Sequence, residues 1–381
     1  MKIPMAFIRI PHKITLLIGI FGLIGIFGIL GFFAGCTSGN SIDPSRRIIS
    51  PDEFEGGSDV ERVQAAVAWS ISHDYPSISL DRLYNLDSGT IYIDKTPWSD
   101  RRQLKFVGDG GGFTKTSPGP MLSSHTENVG DIILRDATIR SKSGANTSVF
   151  DANKLIRINS SRNDYQNLDR IVKQEVEGRH AQSLRFTDDH VVGGNGPAFE
   201  VIEAMDVSIH SCLFEDRDAV WWNLPPATKR LQNRNLRFTS NLMENMRDTP
   251  LKLGSTWTTS VRDNYFEFNG LDRGNNPPPN SSSFAAHIDA YSVQPEAIHA
   301  GLSIEGNMFT MSEPQKRSLT TSILLGKSHA GQRSVVQSNV ADGGTLLRLA
   351  APEASAVYFD RSNHVERGRL VPPGQEGVLQ S

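Results

Sequence analysis

The chain has 381 residues, enough for one large domain or two ordinary ones, and its 39 Lys and Arg against 42 Asp and Glu leave a net charge of −3. That balance offers no basic field to a nucleic acid, and 38% apolar with 8% aromatic residues is enough for a packed core. Two cysteines are too few for a disulfide framework.

At the N-terminus, Lys2, Arg9, His12 and Lys13 precede an uncharged apolar run from Ile14 to Gly35. A basic start, an apolar stretch and small residues before a cut describe a secretory signal peptide over residues 1–35. The same 22 residues can instead span a bilayer as an uncleaved anchor. Phe33-Ala34-Gly35-Cys36 resembles the lipobox of bacterial lipoproteins, which implies lipid on Cys36. Both readings place the rest of the chain outside the cytoplasm, exported and membrane-anchored, in the periplasm or on the cell surface.

Residues 36–52 are polar and turn-rich and read as a tether. In the following segment, 53–95, Ser58 or Asp59 can cap a helix whose Val60, Val63, Ala66, Val67 and Ile71 fall at helical spacing. Strand-like "TIYIDK" and "LKFVGDGGG" come next; no Lys-Ser/Thr follows those glycines, so they suit a tight turn rather than a phosphate cradle.

Over 96–366 one phrase recurs as "VSIHSCLFED" at Val207, "LRFTSNLMEN" at Leu236, "TSVRDNYFEF" at Thr259 and "LSIEGNMFTM" at Leu302. Aligning Asp189, Cys212, Asn241, Asn264, Asn307, Asn339 and Ser362 gives steps of 23, 29, 23, 43, 32 and 23 residues, the period of a solenoid. Pro225, Pro226 and Pro277 to Pro279 would break helical repeats. Ile209, Phe238, Val261 and Ile304 before the turn residue, and Phe214, Met243, Phe266 and Phe309 after it, mark short strands with one inward face. Asn at the turn fits a polar ladder inside the bend, and Cys212 in that place reads as a buried thiol. The expected fold is all-β, a right-handed parallel β-helix with an N-terminal capping α-helix, and 367–381 reads as a C-terminal tail, either frayed or a small closing segment.

The order Gly-Gly-Ser-Asp-Val, a helix with Val-Gln-Ala-Ala-Val, then Tyr-Ile-Asp and Phe-Val-Gly-Asp-Gly resembles the N-terminal cap and first coils of the pectate-lyase superfamily. That group includes polygalacturonases and phage tailspike depolymerases. The resemblance implies a polysaccharide partner, hydrolysis or elimination as the chemistry, and Ca2+ only for a lyase; tailspike relatives trimerise, while no residue of this sequence identifies an interface.

Stacked coils set equivalent residues about 4.8 Å apart, so like residues in sequence form columns. Three positions after the turn stand Glu215, Glu244 and Glu267; further on stand Asp218, Asp248 and Asp272, with Arg217 and Arg247 beside them and Trp221 and Trp222 in the same coil. Paired carboxylates can flank a glycosidic bond as acid and base or nucleophile, and Trp faces can stack on sugars. The competing reading is a solvated face whose arginines neutralise the acids. "VSIHSCLFEDRDAV" resembles a polygalacturonase stretch, with Asp218 as the second of its paired aspartates and Arg217 in place of the first. That family's Asn-Thr-Asp and Gly-His-Gly are absent near Gly194 and Thr249. "RDTPLKLGS" resembles the pectate-lyase Arg-x-Pro-x-x-Arg stretch with Arg247 and Lys252 one position out of register. Asp188 and His190 are further groove candidates, and His287 with Asp289, at i and i+2, can share a strand face as an acid–base pair or metal ligands. Two functions follow: an exported polysaccharide-cleaving enzyme, or a non-catalytic polysaccharide-binding or structural lipoprotein. Close carboxylate pairs would favour the first and carboxylates each capped by a cation the second.

Overall fold

The repeated phrase folds as two short strands meeting at a corner. Ala204–His210 buries Val207 and Ile209, the chain turns at Ser211 and Cys212, and Leu213–Glu215 buries Phe214. A third strand, Ala219–Asn223, completes the coil. A computed structural model describes residues 43, 45–95, 99–227, 232–270, 285–294, 296–317 and 320–380, and residues 44–381 form one unit.

The coils stack in parallel register into three faces. Face 1 runs from Ile48–Ile49 and Ser77–Leu80 to Val357–Phe359; face 2 from Leu83–Asn85 to His364–Val365; face 3 from Ile91–Tyr92 to Gly368–Arg369. Among the described residues faces 2 and 3 hold eleven strands each, so the fold is the expected right-handed parallel β-helix. Face 1 already includes Ser77–Leu80, so the solenoid starts inside the 53–95 segment. Gly368 and Arg369 pair with Gly344 and Thr345, and the Gln375 amide holds both backbone groups of Leu349, so residues 368–375 pack on the last coil.

The interior is built of columns. Ile209, Phe238, Val261 and Ile304 stack on face 1 and Phe214, Met243, Phe266 and Phe309 on face 2, all fully buried. Each such side chain contributes about 1.5–3 kcal/mol by leaving water. Between the columns lies the corner ladder. The backbone N–H and Nδ2 of Asn264 both donate to Oδ1 of Asn307, at 3.1 and 2.9 Å, and Nδ2 also reaches the Phe238 carbonyl. Asn241, Asn307 and Asn339 repeat this pattern. The ladder ends on Asn363 rather than Ser362, whose hydroxyl instead accepts the Ser338 N–H. The residues before Asp189, Cys212, Asn241 and Asn264, namely Asp188, Ser211, Ser240 and Asp263, have positive φ (53–57°). That left-handed step is disfavoured for L-residues, and the bonds on either side hold it in place.

Helix α1, Asp59–Ser72, packs on the first strands and covers that end of the solenoid. Ser58 accepts the Glu61 N–H while the Glu61 carboxylate takes the Ser58 N–H, a capping box. Buried Val63, Ala66 and Val67 face the strand edges, which would otherwise be open to pairing. No helix of the described residues is long and apolar enough to cross a membrane. The leader assignment, Cys36, Asp272 and the Pro277 to Pro279 loop lie outside the described residues.

Candidate functional site

On face 2 the strands Leu213–Glu215, Leu242–Glu244 and Tyr265–Glu267 pair in register, which stacks Glu215, Glu244 and Glu267 one coil apart. Burial first, then the charges of Glu267 and Glu215, hold the Glu244 carboxyl above its ordinary range. Oε2 of Glu215 lies 2.8 Å from Nε2 of His190, whose Nδ1 lies 3.3 Å from Asp164, so His190 bridges two carboxylates. Beside the acids runs a parallel column of Leu213, Leu242, Tyr265 and Met308, the last 47% exposed. The pattern is an acidic stripe with an apolar shoulder.

At the corner leading to face 3, Asp218 and Asp248 occupy adjacent coils, joined by the Asp248 N–H to the Asp218 carbonyl at 2.9 Å. Nε of Arg247 donates to Asp218 at 2.6 Å, and its other nitrogen reaches Gly194 O and Asn195. Nζ of Lys252 lies 3.0 Å from Asp248, whose second oxygen accepts the Thr249 N–H. The same ammonium sits 4.1 Å above the ring centre of Trp222, and that indole N–H donates to Thr249 O. Each aspartate is therefore capped by a cation and each cation is engaged. Elimination needs a cation for the developing carbanion charge, and here Arg247 or Lys252 would first have to leave its aspartate.

Four sequence candidates lie elsewhere than expected. Neighbouring strand residues point to opposite sides, so of the tryptophan pair Trp221 enters the core, stacked on Phe199 at 5.8 Å and edge-on to Phe238. Of the pair, Trp222 is the one left partly exposed. Arg217 is fully buried and donates to the carbonyls of Ala219, Gly196 and Asp169; burial pushes its guanidinium down to about 9. It ties the corner loops together and does not face solvent. His287 lies between Phe266 and Phe309, and burial pulls its imidazole down to about 3, so it is neutral. Asp289 is buried and accepts the N–H groups of Tyr291 and Ser292, a turn-forming role. Among the described residues no group of His, Cys, Asp and Glu is arranged to hold a metal. Asp164 and Tyr265 escaped the sequence reading. Asp164 follows Asn163 as His190 follows Asp189, so extending the ladder one coil earlier would have found it.

No family model and no curated protein matches the chain. Solved structures do. The tailspike protein of Acinetobacter baumannii phage AM24 superposes with a TM-score of 0.70 at 14% identity, over 88% of this chain and 60% of that one. ORF18 of Geobacillus virus E2 gives 0.34 at 10% identity, over 93% and 64%, and the Dettilon tailspike protein 0.32 at 12%, over 83% and 70%. The AM24 likeness is one of fold, a parallel β-helix, and the chain spans less than two thirds of that tailspike's length.

Proposed function

We propose that this chain is an exported glycan-binding protein that hydrolyses glycosidic bonds at the Glu215–Glu244–Glu267 column. The observation that carries the reading is Glu244, held toward its protonated form between two glutamates in register. An acid catalyst must keep its proton while its partner stays ionised, and Glu215, one coil away in register, lies 2.8 Å from Nε2 of His190. Adjacent coils, about 4.8 Å apart, match the roughly 5–5.5 Å between carboxyls of a retaining pair. Glu244 then acts as acid and base and Glu215 as nucleophile. Asp218, Asp248, Arg247 and Lys252, ion-paired as they are, bind sugar hydroxyls beside Trp222 rather than break bonds. The likeness to a phage tailspike and the resemblance to polysaccharide depolymerases support a glycan partner. Lipid on Cys36 would hold the protein at the envelope, and metabolic labelling of wild type against Cys36→Ala tests that.

A second reading, binding without cleavage, draws on the cation caps of Asp218 and Asp248. Protein lacking residues 1–36, incubated with plant and bacterial polysaccharides, separates the two. Reducing ends without ultraviolet absorbance, reduced about 10²–10⁴-fold by Glu244→Gln, support hydrolysis. Absorbance of an unsaturated product would move the chemistry to elimination. Binding with no product would leave a glycan-binding scaffold.

A further inference from the structure

Face 1, which carries none of the groups above, has a groove of about 550 Å³ on its outer side. Arg185, Ser208 and Arg237 stand in register on consecutive coils along it. The short serine between two long arginines opens the groove, with the arginine backbones two coils, about 9.6 Å, apart. Asn235 fixes one side, accepting from Nε of Arg237 at 3.1 Å and donating to Asp206 at 2.8 Å. The Arg237 guanidinium makes no other side-chain bond among the described residues, and Arg237 lines the groove. Among the described residues no carboxylate pairs with Arg185 or Arg237, whereas Arg157, Arg170, Arg247 and Arg262 each hold one. Two exposed guanidinium groups flanking a polar hollow present paired N–H donors to a single oxyanion.

We infer that this groove is an anionic-sugar subsite, in which Arg185 and Arg237 clamp one carboxylate or sulfate above Ser208 while Thr187, Asn235 and Asp206 meet the neighbouring hydroxyls. The inference rests on the glycan reading above but uses a different face, so the two can fail separately. The test is calorimetric titration of the Glu244→Gln protein, which blocks turnover in that reading, with oligogalacturonate, dextran sulfate and uncharged dextran. The expected result is tighter binding of one anionic glycan, oligogalacturonate if the anion is a carboxylate and dextran sulfate if it is a sulfate. Arg185→Gln or Arg237→Gln should weaken that binding about 10- to 100-fold, as expected for loss of charge-assisted bonds. The double variant should be far less than additive, since both side chains serve one anion. Dextran binding should not respond to either change, and circular dichroism checks that the variants fold. Anionic binding that survives the double substitution would overturn the subsite alone. If no glycan binds the parent protein, the glycan reading falls with it.

Discussion

Two columns run along the same coils three residues apart, and they stack by opposite physics. In the corner ladder Asn241, Asn264, Asn307 and Asn339 each donate to the next amide and accept from the previous coil, so repetition satisfies every member. In the glutamate column Glu215, Glu244 and Glu267 can only accept while ionised, so repetition adds repulsion and Glu244 tends to keep its proton. The solenoid imposes the same register on both. The amide ladder supplies stability, while the acidic column raises the folding free energy, and that is the physical reason to look there for chemistry.

The comparison can be broken from the amide side first. Asn264→Asp sets a carboxylate where the side chain must donate to the Phe238 carbonyl and to Asn307. At pH 8 this uncompensated buried charge should lower stability by about 5 kcal/mol, read by urea denaturation. The natural case is Asp189, which fills a ladder position between Asn163 and Cys212. Burial pushes its carboxyl up to about 7 from 3.8. A raised carboxyl favours the protonated fold, so its contribution is complete below about pH 3.8 and lost as pH rises through about 7. Asp189→Asn should therefore match wild type near pH 3.5 and exceed it at pH 8 by roughly 3–4 kcal/mol. A flat difference between those pH values would show that Asp189 is ionised in the fold. The smallest effect belongs to the glutamates. Glu244→Gln relieves repulsion at a half-buried site and should gain a few tenths of a kcal/mol above the pH at which Glu244 ionises, while cutting cleavage about 10²–10⁴-fold. A loss of stability instead would mark Glu244 as structural.

Much of the fold was legible because the ladder repeats one residue type at one place. Asp189, Cys212, Asn241, Asn264, Asn307 and Asn339 align in sequence as they stack in space, and the apolar partners follow. The slip at Ser362 has a local cause: the corner uses two residues, and Ser362 fills the earlier place, beside Ser338. The glutamate column was legible for the same reason. The corner between faces 2 and 3 was not. Arg217 is charged by type yet buried, because three backbone carbonyls converge there, and no local pattern announces that. His287 lies just before the strand Ile288–Ala290 and packs against Phe266 and Phe309, so strand alternation did not govern it.

The ladder also has an evolutionary consequence. From Asn241 to Asn264 the chain takes 23 residues and from Asn264 to Asn307 it takes 43, yet the backbone-to-amide link is 3.0 Å in one and 3.1 Å in the other. Doubling a loop adds only about 0.6 kcal/mol of closure entropy. Most of the extra length enters between Tyr265–Glu267 and Ile288–Ala290, on the coil that follows Asp248 and Lys252. Such a scaffold can exchange whole segments as cassettes while the register beneath stays unchanged.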